Sequence, residues 1–295
     1  MILMNKKVFC TVFTPTYNRA KNLTKLYNSL CEQDFSDFEW LIVDDGSSDD
    51  TEKLVAQFIK KHKIEIVYKK TENGGKHRAI NYGLDFARGE VFAIVDSDDY
   101  LKKDALTKIY KRFKKLPKKN YAGIAFQRGY ESREAIGSTF EGEYVDATSL
   151  ERNKYNISGD KFEIFFTKIL QEHKFPEFKG EKFMTEMVVW NRIARLGYKI
   201  RWFNDIIYIC EYLPDGLTAN LFKLYKNNPK GFALNIKEQV QFDNISFKQK
   251  MSYYSLYYMI RKEEKNLIEI SKEINASPVI LLFAYMARML IWKKR

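Results

Sequence analysis

Four short apolar runs, Val8–Phe13, Glu39–Val43, Ile64–Tyr68 and Val91–Val95, recur at intervals of roughly 20–30 residues. A stretch with helical spacing follows each of the first three. The first carries Leu23, Leu26, Tyr27 and Leu30. The second runs from Glu52 to Lys61, and the third carries Ala79, Ile80, Gly83 and Leu84, with Gly89 expected as its C-terminal stop. Strand–helix units repeated in this way predict an α/β fold: a doubly wound, mostly parallel sheet with right-handed crossovers and helices on both faces. In such sheets ligands bind beyond the carboxyl ends of the strands. The residues that matter most are therefore those that close each run.

The first run is closed by Thr14-Pro15-Thr16-Tyr17-Asn18-Arg19 and the second by Asp44-Asp45-Gly46-Ser47-Ser48. The fourth ends in Asp96-Ser97-Asp98-Asp99, three carboxylates within four positions. Carboxylates this close repel one another, and a hard divalent cation shared with a ligand's phosphates relieves the repulsion. The competing reading is an Asx turn that caps a helix beginning after Tyr100. The spaced glycines of dinucleotide-binding enzymes are absent after the first strand, and so is the P-loop pattern. A nucleotide at this edge would be held by acids and a metal rather than by a glycine cradle.

Taken with Asn73-Gly74-Gly75-Lys76-His77, the three closing motifs resemble family 2 inverting glycosyltransferases of the GT-A fold. The resemblance covers about the first 110 residues and implies a nucleotide-sugar donor, usually a UDP-sugar, with Mn²⁺ or Mg²⁺ as cofactor. Under it, Asp98 is the principal metal ligand. Asp96 faces the ribose and the metal's waters, Ser97 beside it also contacts the nucleotide-sugar, and Asp99 is able to exchange roles with either acid. Asp44 or Asp45 accepts a hydrogen bond from the base, and Tyr17 stacks on the base ring within the Pro15–Arg19 loop that includes Asn18. Asn73 and Gly75 shape a turn that presents Lys76 to the phosphates. The family's base is usually the second acid of a Glu-Asp pair, six residues before an arginine. Here Thr185-Glu186 occupies that place with Arg192 six residues on, so Glu186 is the expected base and Glu181 the fallback. Threonine in place of the first acid, and glutamate in place of aspartate, depart from the family pattern.

The chain has 50 Lys and Arg against 38 Asp and Glu, a net charge of +12 and a pI of about 9.3, which permits an anionic partner without selecting one. Nine cations fall within residues 102–119 (Lys102, Lys103, Lys108, Lys111, Arg112, Lys114, Lys115, Lys118, Lys119), read as a solvated helix face or as a surface for anions. A nucleic-acid-binding protein would place its basic stripe on the ligand surface, whereas the inferred ligand edge here is acidic. A sugar-phosphate nucleotidyltransferase would carry a Gly-rich loop with an arginine where Pro15-Thr16-Tyr17 stands. Cys10, Cys31 and Cys210 build neither a disulfide framework nor a zinc site, which points to a reducing cytosol. Met1–Lys7 has the wrong order of charge for a signal peptide, and no stretch of 18 uncharged apolar residues exists.

The organisation read from sequence is a catalytic domain over 1–219 and a helical region over 220–295. Within the catalytic domain, 1–110 is the nucleotide-sugar half and 111–219 the acceptor half. Lys199–Tyr212 reads as strand, loop and strand, followed by Leu213-Pro214-Asp215-Gly216. Ser277-Pro278 opens a helix through Trp292 that is apolar except for Arg288 and is followed by Lys293-Lys294-Arg295. That composition suits peripheral attachment to an anionic membrane surface, with the active site facing a glycan or lipid-linked saccharide acceptor; the alternative is a packing or homodimer helix.

Overall fold

The computed structural model describes residues 7–117, 119–132, 134–211, 221–242 and 245–292. The motif residues Met1–Lys6, Lys118, Tyr212, Leu213–Gly216 and Lys293–Arg295 lie outside them. The chain forms two compact units, Met1–Phe175 with Val189–Leu213, and Pro176–Val188 with Pro214–Arg295.

The first unit begins with β1 (Val8–Thr16), α1 (Leu23–Cys31), β2 (Phe38–Asp44), α2 (Thr51–Lys60), β3 (Ile66–Lys70), α3 (Lys76–Leu84) and β4 (Gly89–Ile94). It continues with β5 (Tyr100–Leu101), α4 (Ala105–Lys114), β6 (Tyr121–Gly129), β7 (Tyr144–Ala147), a 3₁₀ helix at Ser149–Tyr155, β8 (Lys161–Phe166) and α5 (Thr167–Glu172). The chain then passes into α6 (Met187–Arg195) and β9 (Lys199–Ile209). The strands form one sheet in the order β3-β2-β1-β4-β8-β6-β9-β5, with β7 also paired to β9. The β3-β2-β1-β4 half is parallel throughout. Beyond it β8 runs antiparallel to both β4 and β6, while β6 and β9 are parallel.

Alternation along β1 decides which helices cover which face. Cys10 and Val12 are buried in one core with Leu23, Leu26 and Leu30 of α1, Val55 and Phe58 of α2, and Ile109 of α4. Phe13 points to the opposite face, stacked on Phe92 at 4.9 Å. There α3 approaches so closely that a Cβ on Gly83 would lie 2.2 Å from the Phe13 ring. Helices thus pack on both faces, and each fully buried large side chain adds about 1.5–3 kcal/mol of transfer free energy.

Three local expectations are corrected. Gly89 does not stop the third helix, which ends at Leu84; it opens β4, where a Cβ would sit 2.2 Å from the Thr11 amide nitrogen. Close approach of two backbones, rather than helix termination, requires the glycine. The helix read as following Tyr100 starts only at Ala105, because Tyr100–Leu101 form the two-residue strand β5, paired with β9. Lys199–Ile209 is one continuous strand, because register shifts against β6 around Ala125, Gln127 and Arg128 absorb the polar Asn204-Asp205 that reads as a loop.

The second unit contains α7 (Leu221–Asn227), α8 (Pro229–Val240), α9 (Phe247–Arg261), α10 (Leu267–Glu273) and α11 (Pro278–Trp292). Its own core is made by Phe232, Ile236, Tyr257, Ile260, Ile270 and Leu281. Capping boxes start α9 at Ser246 and Gln249 and α10 at Asn266 and Glu269. The Pro176–Val188 segment, placed by the sequence reading within the acceptor half, is fastened to these helices. Asn228 Oδ1 accepts the amides of Lys182 and Phe183 at 2.7 and 3.0 Å.

Candidate active site

Residues from β1, β2, α3 and β4 meet at the carboxyl edge of the parallel half-sheet. The Asp45 amide donates to the Thr16 carbonyl at 2.8 Å, which continues the β1–β2 pairing into the loops. Pro15 lies opposite Val43 in that register and is half-buried. Asn18 takes a left-handed conformation with φ 52°, and its side-chain carbonyl accepts the amides of Ser48 and Asp49 at 2.8 and 3.3 Å. Its own amide donates to Ser47 Oγ at 2.8 Å. Asn18 thus stitches the first loop to the second, a framework use within the loop expected to hold the nucleotide. Tyr17, 49% exposed, is left on the surface of that loop with its ring accessible.

Asp44 and Asp45 are both buried and both build structure. Asp44 accepts the Ser47 amide at 2.7 Å and the Tyr68 hydroxyl at 2.5 Å. Asp45 accepts the amides of Gly74 and Gly75 at 2.7 and 2.8 Å and the Asn73 side-chain amide at 3.1 Å. The Asp45 carboxylate thereby folds the Asn73-Gly74-Gly75 turn onto the second loop. Gly75 (φ 95°) is the cap from which α3 starts, and this delivers Lys76 to the end of β4. Gly46 is required on the other side of the contact: at φ 82° it stands where a Cβ would lie 2.8 Å from the Asn73 amide nitrogen.

The acid cluster after β4 is gripped by two cations. Lys76 Nζ lies 2.6 Å from one Asp96 oxygen, and an Arg128 nitrogen lies 3.5 Å from the other. Burial raises the Asp96 carboxyl, but Lys76 and Arg128 outweigh it and hold the group below its ordinary value. Asp98 goes the other way: burial and the neighbouring Asp96 push it up, against smaller opposing effects of its own backbone amide, Arg19 and Lys76. Asp99 is pushed furthest, to about 6, by burial and by Asp96. Its oxygens accept the Tyr208 hydroxyl at 2.7 Å and the Glu211 amide at 2.9 Å. The same Tyr208 oxygen receives the Asp96 amide at 3.0 Å, so one buried phenol fixes both ends of the acid turn. Ser97 is buried within the turn.

Arg128 and Tyr208 were not found by sequence reasoning. Arg128 lies on β6 and Tyr208 on β9, and its guanidinium stacks over the Tyr208 ring at 4.4 Å. The available signal was a charged residue closing a buried run, Ile124 to Gln127, which demands a buried partner.

The chemistry of the cluster suits a hard cation. Two of its three carboxyls are raised by mutual repulsion and burial, a stress that a divalent ion relieves, and all its donors are hard oxygens. Among the described residues no three His, Cys, Asp or Glu side chains form a ready-made cage. A cation here would therefore use one or two carboxylates and complete its shell from the ligand and water, the usual pattern for a nucleotide-bound ion.

Two acids proposed outside this edge lie in the Pro176–Val188 segment. Glu186 is half-buried and immediately precedes α6, at its N-terminal end. Glu181 is committed elsewhere: its two oxygens accept the amides of Lys230 and Gly231, both at 2.8 Å, capping α8. That use removes it as the fallback base. The basic 102–119 stretch is likewise partly neutralised within the chain, since Lys108 and Arg112 each pair with Asp205, and Arg112 also pairs with Glu143.

Residues 11–174 match the family described as Glycosyl transferase family 2. The chain belongs to that family. It is a glycosyltransferase, and its sheet has the GT-A architecture. It is 41% identical over 98 residues to the poly(ribitol-phosphate) beta-N-acetylglucosaminyltransferase TarS of Staphylococcus aureus, a match that covers 32% of this chain and only 17% of TarS. Over 92% of this chain, and 91% of the relative, it is 28% identical to the GalNAc(5)-diNAcBac-PP-undecaprenol beta-1,3-glucosyltransferase of Campylobacter jejuni. The structure of TarS residues 1–349 with UDP-GlcNAc superposes with a TM-score of 0.61 at 23% identity, covering 90% of this chain and 79% of that one. The mannosyltransferase PcManGT of Pyrobaculum calidifontis, solved with GDP-Man and Mn²⁺, gives 0.57 at 19% identity, covering 98% and 82%. None of the three cysteines is in a disulfide, and no helix of the described residues is long and apolar enough to cross a membrane.

Proposed function

We propose that this enzyme transfers a sugar, with inversion, from a UDP-sugar to a hydroxyl of a glycan acceptor in bacterial surface-polysaccharide synthesis. The acceptor is lipid-linked, and the protein works in the cytoplasm at the inner face of the membrane. The observation that carries the reading is the acid turn after β4, set between Lys76 and Arg128. Support for the donor comes from TarS, solved with UDP-GlcNAc and with UDP. Support for the acceptor comes from the Campylobacter relative, whose name specifies a PP-undecaprenol saccharide.

Transfer forms a bond from the acceptor oxygen to the anomeric carbon and breaks the bond from that carbon to the diphosphate. Asp98, with Asp96 beside it, would hold Mn²⁺ or Mg²⁺, which when bound offsets the charge developing on the leaving diphosphate. Lys76 reaches the same charge by leaving Asp96 for a phosphate oxygen, while Arg128 stays behind to balance Asp96. Tyr17 offers its exposed ring to the base. Asp44 or Asp45 accepts a hydrogen bond from the base. Glu186 takes the proton of the acceptor hydroxyl.

The test is a thermal shift with UDP and Mn²⁺, followed by release of free UDP from a panel of nucleotide sugars. Stabilisation that EDTA reverses, together with hydrolysis of one UDP-sugar, is expected. Stabilisation by a nucleoside triphosphate and a sugar phosphate instead would replace the reading with a nucleotidyltransferase. Glu186→Gln is expected to lower kcat by about 10²–10⁴ with donor binding retained. A variant within threefold of wild type removes Glu186 as the base.

A further inference from the structure

The apolar side chains of α11 divide between two faces. Leu281 and Ala284 are buried in the core of the helical unit. Turned away from that core, Val279, Phe283, Met286 and Leu290 form a continuous stripe at helical spacing, 76, 52, 50 and 65% exposed. Arg288 does not interrupt it, because its guanidinium reaches Ser255 Oγ at 3.3 Å on α9. Fifteen residues of helix extend about 22 Å, too short for a hydrocarbon core of about 30 Å.

Charge identifies the occupant. Between residues 274 and 295 there is no aspartate or glutamate, and α11 is followed in sequence by Lys293-Lys294-Arg295. A partner must therefore accept apolar side chains along the helix and cations at its end. A second copy would offer the same stripe and the same run of cations, and between residues 274 and 295 no carboxylate to receive them. An anionic bilayer surface offers both, with acyl chains under the headgroups and negative lipid at the surface.

We propose that the Val279–Phe283–Met286–Leu290 face of α11 lies in the plane of an anionic membrane surface and is the element that brings this enzyme to a lipid-linked acceptor. The proposal rests on the acceptor part of the functional reading and not on the donor part. Full-length protein is expected to co-sediment with phosphatidylcholine–phosphatidylglycerol vesicles at low salt and far less with phosphatidylcholine alone. The double variant Phe283→Glu/Leu290→Glu should lose at least about tenfold in vesicle affinity, with an unchanged melting temperature because both side chains stand in solvent. Lys293→Glu/Lys294→Glu should weaken binding and its salt dependence together. UDP release from the donor, read on the same samples without vesicles, should match wild type, so failure of docking is separable from failure of the donor reading. Wild type that stays in the supernatant, or a stripe variant that pellets as well as wild type, overturns the proposal. So does a wild-type dimer that the stripe variant converts to monomer without lipid, since the second copy would then be the occupant.

Discussion

Two acidic stretches flank β1 at the same edge of the sheet, Asp44-Asp45 after β2 and Asp96–Asp99 after β4, and they use one residue type in opposite ways. In the first, every carboxylate oxygen has a donor supplied by the fold: the Ser47 amide and Tyr68 hydroxyl for Asp44, and the turn at Asn73–Gly75 for Asp45. Asp49, further along the same loop, sits below its ordinary value because the Thr51 side chain and backbone amides of Ala20 and Thr51 outweigh its burial. In the second, burial and mutual repulsion leave Asp98 and Asp99 raised. One loop has its charge already answered by protein; in the other Asp96 is paired, while Asp98 and Asp99 stay raised beside it, Asp99 even with both oxygens hydrogen-bonded. A satisfied acid is scaffold, and a strained acid is where a cation or phosphate has something to add.

Four substitutions sharpen or break this contrast. Asp98→Asn acts on the strained side. It should reduce donor turnover by on the order of 10³-fold at saturating Mn²⁺, the scale of losing several kcal/mol of charge stabilisation. The melting temperature should hold or rise, since a repelling carboxylate is removed. Wild-type turnover would place the cation elsewhere.

Asp45→Ala acts on the satisfied side and should reverse the pattern. Three donors lose a charged acceptor, which costs about 3 kcal/mol of unfolding free energy in a denaturant titration. An unchanged midpoint would show that the Asn73–Gly75 turn stands without it.

The pH response gives a third comparison. Asp99, at about 6 in the fold against an ordinary 3.8, favours its protonated form when folded. Its contribution is complete below the unfolded value and is lost as pH rises through 6, a change of about 2–3 kcal/mol. Asp49 has the opposite sign, contributing above its unfolded value and losing that contribution on acidification. Asp99→Asn should therefore flatten the decline in stability between pH 4 and 6, measured by chemical denaturation without metal. A slope equal to wild type would assign the titration to another group. The smallest effect is expected from Tyr68→Phe, which removes one hydroxyl from Asp44 and should cost about 1 kcal/mol. A loss much larger than that would mean that Asp44, too, carries unrelieved charge.

Much of the parallel half-sheet is legible in the sequence, because each strand is a run of apolar residues and each loop is a local cluster of polar ones. The edge where they converge follows from the winding alone. What the chain order hides is how a carboxylate is answered. Asp45 is answered from Asn73–Gly75 and Asp96 from Arg128, each about 30 residues away, and Asp99 from Tyr208, more than 100 residues on. Asp44-Asp45 and Asp96–Asp99 look alike in one dimension because the answers come from elsewhere in the chain, those to Asp96 and Asp99 through β6 and β9, whose pairing no local pattern encodes. Gly89 misleads for the same reason: as punctuation it follows a helix, but its cause is the Thr11 backbone on another strand.

Gly89 also acts as a gauge block. It opens β4, whose far end leads to Asp96, and pairs with Val8 at the start of the ladder with β1, whose far end leads to Tyr17. Any larger side chain would wedge the two strands apart at their base and change the separation of the loops they end in. Tolerance for sequence drift is therefore distributed unevenly, with a silent-looking position at the bottom of the sheet controlling alignment at the top. An engineer who wants a different donor should leave position 89 alone, and a library there should mostly return enzymes that fold and no longer measure correctly.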